Sequence, residues 1–299
     1  MNKKAYTISV RKPAWLRRKL PWGPEYEKIR SLLSGSRLNT VCQEARCPNI
    51  FECFSKGTAT FLILGRRCTR NCLFCAISHG PIGPPDPGEP ERLAKSAAEM
   101  NLDYVVVTSV TRDDLPDGGA SVFVETIQKI HERLPAAYVE VLIPDFRGDT
   151  KALEQVISAA PDVLNHNVET VPRLYSQVRQ GADFDRSVGL LKEAGKIAPS
   201  LCTKSGLMLG LGEKQEELIQ VFERLLDSGC SILTMGQYLQ PSAHHYPVSG
   251  FLHPDEFEQY RDMALKMGFS RVESGPFVRS SFNAKELYLG NEKGKRRNI

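Results

Sequence analysis

Short apolar and β-branched runs alternate with amphipathic stretches along most of this chain. The runs lie at 61–65, 104–110, 138–143, 163–168, 205–211 and 232–239, and the amphipathic stretches at 91–100, 120–134, 151–159, 184–198 and 216–228. Within 120–134, Phe123, Ile127, Ile130 and Leu134 fall at i, i+4, i+7 and i+11, on one helical face. Strands alternating with helices of this length require right-handed crossovers and therefore a parallel sheet. Six such units predict an α/β fold, a partial TIM-like (β/α)6 barrel over residues 59–252. A doubly wound open sheet satisfies the same periodicity. In either form, functional groups collect on the loops after the strands' C-terminal ends.

The flanks read differently. Residues 1–58 contain Pro13, Pro21, Pro24 and Pro48, which break any long helix and leave one short helix expected at 25–33. Residues 81–90 hold five prolines and two glycines, an extended connector. Beyond the last unit, His253-Pro254-Asp255 signals a helix over 255–267, followed by a short apolar piece at 272–278 and a basic tail. Three segments result: an N-terminal extension (1–58), the barrel (59–252) and a C-terminal extension (253–299) that closes it.

At 299 residues with 41% hydrophobic and 25% charged positions, the composition is that of a soluble globular protein. No apolar run approaches the roughly 18 residues that span a bilayer. Residues 1–20 lack the continuous apolar core of a secretory signal, so a reducing cytoplasm is expected. The net charge of +4 divides into about +10 over residues 1–20 and 291–299 and about −6 over the body. Basic ends of this kind are solvated tails or steer an acidic partner or nucleic acid.

The cysteines change the picture. Six of eight fall within residues 42–75, and crowding of this kind in a reducing compartment points to metal rather than disulfides. Cys68, Cys72 and Cys75 form a C-x3-C-x2-C loop after the first apolar run, with Phe74 just before the last cysteine. Three thiolates can ligate three irons of a cubane [4Fe-4S] cluster and leave the fourth iron open. A zinc site is the alternative, although it wants a fourth ligand that the loop lacks. Cys42, Cys47 and Cys53 form a second triplet, C-x4-C-x5-C, in a core-poor segment expected to fold around its own metal. Cys202 and Cys230 read as small buried hydrophobes.

Other polar clusters follow strand ends. Gly118 and Gly119 open a helix and offer exposed backbone N–H groups as an anion site. In Asn165-His166-Asn167-Val168-Glu169, alternation puts Asn165, Asn167 and Glu169 on one face, toward the barrel interior, where an amide and a carboxylate suit the hydroxyls of a ribose. A polar network that closes the barrel is the competing explanation. His166 then points outward, and His244 and His245 sit in a proline-flanked loop. Gly210-Leu211-Gly212 lacks the third glycine of a nucleotide fingerprint.

The C-x3-C-x2-C loop with its aromatic residue resembles the signature of radical S-adenosylmethionine enzymes. Further motifs narrow this to a resemblance with the lipoyl synthase family. They are 44–49 (Glu-Ala-Arg-Cys-Pro-Asn), the C-x4-C-x5-C triplet, 68–72, 142–146 (Leu-Ile-Pro-Asp-Phe), 165–167, 203–208 and 236–241. The resemblance implies a sulfurtransferase that uses a 5′-deoxyadenosyl radical to insert two sulfur atoms at C6 and C8 of a protein-bound octanoyl-lysine, forming the lipoyl cofactor. It implies two [4Fe-4S] clusters and S-adenosylmethionine. Cys68, Cys72 and Cys75 would hold the reducing cluster, while Cys42, Cys47, Cys53 and Ser281, with Ser280 as the alternative, would hold an auxiliary cluster that donates sulfur. Phe74, Asn167, Glu169 and Arg186 would contact S-adenosylmethionine, Arg186 at the methionine carboxylate.

Implied partners are octanoylated lipoyl carrier domains (2-oxoacid dehydrogenase E2 or the glycine cleavage H protein), an electron donor such as flavodoxin or ferredoxin, and an iron-sulfur repair protein. No nucleic acid and no membrane are expected. Two positions depart from the family pattern: Phe282 replaces the tyrosine of Arg-Ser-Ser-Tyr, and Thr111 stands where an aspartate is expected before Arg112-Asp113-Asp114. Rival readings are a biotin synthase-like or tRNA methylthiotransferase-like enzyme, which lacks the C-x4-C-x5-C extension, and a metal-stabilised nucleic-acid-binding protein, which leaves the six β/α units idle.

Overall fold

The computed structural model describes residues 11–17, 27, 31, 35–45, 47, 49–55 and 60–290. The basic ends lie outside these residues apart from 11–17, as does the helix expected at 25–33 apart from Glu27 and Ser31. Contacts divide the described chain into two compact units, one of residues 35–69, 77–165 and 288–290 and the other of 11–17, 70–76 and 166–287.

In the first unit, β1 (Asn39–Thr40) runs antiparallel to β2 (Thr60–Ile63), and β2 is followed across the sheet by parallel β5 (Tyr104–Ser109), β6 (Tyr138–Leu142) and β7 (Val163–Asn165). A separate parallel pair, β3 (Arg67–Cys68) and β4 (Ser78–His79), frames the cysteine loop. Phe61, Ile63, Val105, Val107, Val139, Val141, Val163 and Leu164 are wholly buried, as expected of parallel strands covered on both faces. Helices α1 (Val41–Glu44), α2 (Ile50–Ser55), α3 (Glu89–Glu99), α4 (Ala120–Arg133) and α5 (Thr150–Ser158) belong to this unit. Phe123, Ile127 and Ile130 form the buried stripe of α4. The connector 81–90 is extended only in its first part, because Glu89 and Pro90 already form the first turn of α3, where proline's missing N–H costs nothing.

The second unit contains the parallel strands β8 (Cys202–Leu209), β9 (Ile232–Gln237) and β10 (Arg271–Gly275). Its helices include α6 (Tyr175–Val178), α7 (Phe184–Ile197), α8 (Gln215–Asp227) and α9 (Pro254–Met267). Helix α9 starts with Pro254 in its first turn, and Glu256 accepts from the His253 N–H at 2.7 Å. Six strands, β2 and β5 to β9, are each followed by helix, giving the six expected β/α units. Strand β10 is an addition: its sequence, Arg-Val-Glu-Ser-Gly, is too short and too polar to announce a strand, and its pairing with β9 defines it.

Gly236 and Gly275 are register partners in β9 and β10. A Cβ on Gly236 would collide with the Val278 carbonyl oxygen and approach Arg279 Nη1 to 3.0 Å, so the chain leaving β10 crosses β9 only because this side chain is absent. Gly236→Ala should cost about 1–3 kcal/mol, the usual range for forcing volume into a packed site. A lower melting temperature together with faster amide exchange over 276–282 is the expected result. An unchanged exchange pattern there would contradict it.

Candidate functional site

The cysteine loop is held by main-chain and side-chain bonds at each stage. Cys68 Sγ accepts from the Thr111 N–H at 3.3 Å, and the Thr69 N–H and Oγ1 both donate to the Thr111 carbonyl, at 3.0 and 2.9 Å. The Thr111 contacts with the loop are thus made by its main chain, which explains how threonine serves where an aspartate was expected. Within the second unit, Leu73 N–H donates to Val178 O and Tyr246 N–H to Leu73 O, each at 2.8 Å. His245 Nε2 lies 3.0 Å from the Cys75 carbonyl and Nδ1 lies 2.8 Å from Ser242 Oγ. A proton on Nε2 satisfies both contacts: the ring donates to Cys75 O and accepts from the Ser242 hydroxyl. His245 therefore shapes the loop through a carbonyl, a role that sequence reading missed. His244 is exposed.

Cys42, Cys47 and Cys53 lie on α1, on the turn that follows and on α2. Cys47 N–H donates to Cys42 O at 3.1 Å, and Cys53 N–H to Asn49 O at 2.9 Å within α2. Burial, reinforced by the neighbouring Cys47 and Cys53 groups, pushes the Cys42 thiol up to about 12. Crowded thiols of this kind resist ionisation until a cation replaces their protons. Among the described residues, no three His, Cys, Asp or Glu side chains converge as ligands of a single ion. A cubane asks for a different arrangement, because each thiolate takes its own iron.

A third cluster lies beside β8. The segment 166–169 continues the parallel pairing past the end of β7: His166 N–H donates to Lys204 O at 3.0 Å and Glu169 N–H to Gly206 O at 2.9 Å. The strand itself stops at Asn165, earlier than expected, and Glu169 has a left-handed backbone (φ 67°). Asn167 Nδ2 donates to Glu169 Oε1 at 3.1 Å and to Ser280 Oγ at 2.5 Å. The Asn167 Oδ1 atom is buried without a partner among the described residues. Gly206 faces it: a Cβ there would come within 2.8 Å of Asn167 Oδ1 and 2.7 Å of Thr234 Oγ1. An orphaned acceptor beside a glycine cradle fits a hydroxyl-bearing ligand.

Arg179, not singled out in the sequence, joins this cluster. Its Nη1 donates to Asn167 O at 2.9 Å and reaches Tyr175 Oη and Ser187 Oγ at 3.1 and 3.3 Å. Burial opposes its charge, yet Tyr175, Glu169 and Cys72 nearby raise its pKa above the ordinary arginine value. Burial also raises the Glu169 carboxyl, against the opposing pull of Arg179, Asn167 and Arg279. The only sequence signal for Arg179 is its i, i+4 spacing from Tyr175. Arg186 sits in the first turn of α7, where its Nη2 donates to Gly181 O at 3.2 Å. Phe74, Ser280 and Ser281 are half-buried.

Two expectations are revised. Asn165 Nδ2 donates to Glu140, whose carboxylate also takes the Tyr104 hydroxyl at 2.7 Å, so Asn165 belongs to a structural network. The N–H groups expected to form an anion site at Gly118 and Gly119 are already in use: Gly118 N–H donates to Leu115 O, and Asp117 accepts from Gly119 N–H and Ser121 N–H at 2.9 and 2.8 Å. His166 is fully buried. Cys230 is buried as expected, its thiol 3.4 Å from Ile232 O, whereas Cys202 at the start of β8 is only half-buried.

Residues 62–225 match the radical SAM superfamily. Solved structures share the fold: Streptococcus suis SuiB bound to S-adenosylmethionine (TM-score 0.56, 10% identity, 75% of this chain and 53% of that one), and the radical SAM enzyme coproporphyrinogen III oxidase (HemN) from Escherichia coli (TM-score 0.50, 14% identity, 69% and 52%). This chain spans about half the length of each. The class is thus that of radical S-adenosylmethionine proteins, with the partial barrel and a [4Fe-4S] cluster. Residues 2–47 match the N-terminal domain of lipoyl synthase. Curated lipoyl synthases are similar over nearly the whole chain, from Desulfotalea psychrophila (57% identity, 96% of both chains) and Alkaliphilus metalliredigens (52%, covering 95% of this chain and 98% of that one). The chain belongs to the lipoyl synthase family.

Proposed function

We propose that this chain inserts two sulfur atoms at C6 and C8 of an octanoyl group carried on a lysine of a lipoyl carrier domain, with residues 1–58 and 253–299 supplying the ligands of a second, sulfur-donating [4Fe-4S] cluster. The observation that carries this reading is the nearness of Cys42, Cys47 and Cys53 around the two short helices α1 and α2, because a protein that only cleaved S-adenosylmethionine would need no second thiol triplet. An unactivated C–H bond offers no acid, base or leaving group. When bound, S-adenosylmethionine and the reducing cluster supply the radical that attacks it.

Cys68, Cys72 and Cys75 hold the reducing cluster in this reading. The Thr111 N–H supports the Cys68 sulfur, and Cys72 lies near the Arg179 charge. Asn167 and Glu169 bind the ribose hydroxyls, Phe74 flanks the nucleoside, and Arg186 pairs with the methionine carboxylate. Arg179 holds the Asn167 carbonyl and so orients both ribose ligands. Ser281 is the fourth ligand of the auxiliary cluster, which acts as a substrate. Ser280 is the weaker candidate, since its hydroxyl already receives the Asn167 amide. An electron donor such as flavodoxin or ferredoxin, and a protein that rebuilds the spent cluster, complete the cycle.

The deciding experiment is anaerobic incubation of the reconstituted protein with S-adenosylmethionine, reductant and an octanoyl-lysine peptide, followed by mass analysis. Two added sulfur atoms are expected, from a protein that holds about eight irons and eight sulfides. Zinc in place of iron would end this reading. For the cofactor site, Glu169→Ala should weaken S-adenosylmethionine binding by ~1.5–3 kcal/mol, the value of a hydrogen bond to a charged group. Equilibrium dialysis measures it, and an unchanged dissociation constant would return Asn167 and Glu169 to a structural role.

A further inference from the structure

At the C-terminal end of β2 a cleft of about 440 Å³ opens beside the start of the cysteine loop. Four arginines line it, Arg37, Arg66, Arg67 and Arg92, with two acids, Asp86 and Glu89. Both acids are already engaged. Asp86 pairs with Arg92 at 2.7 Å, and Glu89, almost wholly buried, accepts from the Leu64 N–H at 2.7 Å. Arg92 is further tied to the Ser36 carbonyl at 3.2 Å.

The remaining three arginines are poorly compensated. Arg66 is 64% exposed and approaches Glu44 only to 3.5 Å. Arg67 donates to the Pro81 carbonyl, a neutral acceptor, at 3.1 Å. Arg37 is exposed and shares with Arg92 the single charge of Asp86, forming no ion pair of its own among the described residues. Three cations around one concavity repel one another unless an anion joins them, and arginine's planar fork suits carboxylates in particular. Arg66 and Arg67 immediately precede Cys68, so whatever docks here is placed next to the loop.

We infer that this arginine-lined cleft docks carboxylates on the surface of the carrier domain, beside its octanoyl-lysine, and so presents the acyl chain to the cysteine loop. The inference rests on the sulfur-insertion reading for the identity of the partner. It adds a recognition surface that reads the carrier's charge and not its acyl chain. Charges on such a rim act mainly on encounter rate and register, and salt screens them. The cleft therefore distinguishes a folded acidic carrier from a short uncharged peptide bearing the same acyl-lysine.

The test uses the reconstituted full-length protein and the double variant Arg37→Glu, Arg66→Glu. Binding of a fluorescently labelled octanoylated carrier domain is followed by anisotropy, independently of turnover. The dissociation constant should rise about tenfold or more at low salt, and the difference should collapse at about 0.5 M salt. Arg37→Lys with Arg66→Lys should bind nearly as well as the unsubstituted protein. Turnover of an octanoyl-lysine peptide flanked by uncharged residues should be the same in all three proteins, which also shows that the variants are folded.

Equal carrier affinity in the charge-reversed and unsubstituted proteins, or a loss that salt does not diminish, would overturn the docking assignment and leave sulfur insertion intact. A carrier domain that does not bind the unsubstituted protein overturns it as well. If affinity responds to charge reversal while the unsubstituted protein thiolates no peptide, the acidic docking surface stands and the sulfur-insertion reading fails.

Discussion

Replacing Cys72 with alanine should reduce 5′-deoxyadenosine formation by roughly 100-fold or more, since loss even of groups that merely orient metal ligands costs ~10–100-fold. The same is expected for Cys68→Ala and Cys75→Ala. The physical reason lies in the loop's economy: in the proposed site three thiolates serve three irons, and no fourth cysteine is close in sequence to replace a missing one. The surroundings are fitted to these positions. Cys68 Sγ accepts a main-chain N–H, Cys72 lies near the Arg179 charge, and the Cys75 carbonyl is held by His245. Iron bound by Cys42, Cys47 and Cys53 should survive each substitution, because those residues lie on a separate segment of the chain, on and between α1 and α2. Chromatographic assay of 5′-deoxyadenosine beside iron counting checks both halves. Normal cleavage in any of the three variants would remove the loop from the reducing site.

Ser281→Ala should impair sulfur insertion by about 10–100-fold while leaving 5′-deoxyadenosine formation within about twofold. A cluster that is consumed must be held at rest and still release iron once sulfide has bonded to carbon. A serine oxygen is a harder ligand than thiolate and makes one iron unlike the other three. The neighbouring Ser280 is committed to Asn167 at 2.5 Å, and the chain just before the two serines is pressed against Gly236. Ser280→Ala should consequently keep the auxiliary cluster but alter S-adenosylmethionine affinity through Asn167, separating the two serines by readout. Loading the auxiliary cluster with heavy sulfide and following product mass over one turnover tests the donor. Unlabelled lipoyl product would refute the donor, and full insertion by Ser281→Ala would refute the serine ligand.

Much of this was legible in one dimension. Periodic burial is a local property: the stripe Phe123, Ile127 and Ile130 and the apolar runs of β2 and β5 announce their elements because the pattern of buried positions repeats within a few residues. The two cysteine spacings were likewise readable, since a short loop brings its own ligands together whatever the remainder of the chain does. The start of α9 was written in His253-Pro254-Asp255, and the helix begins at Pro254.

Only the tertiary structure decided the rest, because its contacts join positions that no local pattern links. Strand β10 exists through its pairing with β9, and the Asn167–Ser280 bond spans 113 positions. Arg179 and His245 lie in irregular segments, where polar residues have no periodicity to mark them as buried, and each acts through a main-chain carbonyl that carries no side-chain identity. The glycine pair before α4 differs: its N–H groups looked available in sequence, but Gly118 N–H donates to Leu115 O and Gly119 N–H to the Asp117 carboxylate, both within the same turn. Spacing along the chain determined which residues are available for chemistry; packing between distant segments determined which of them meet, because a side chain's partners depend on the fold's closure and not on its neighbours in sequence.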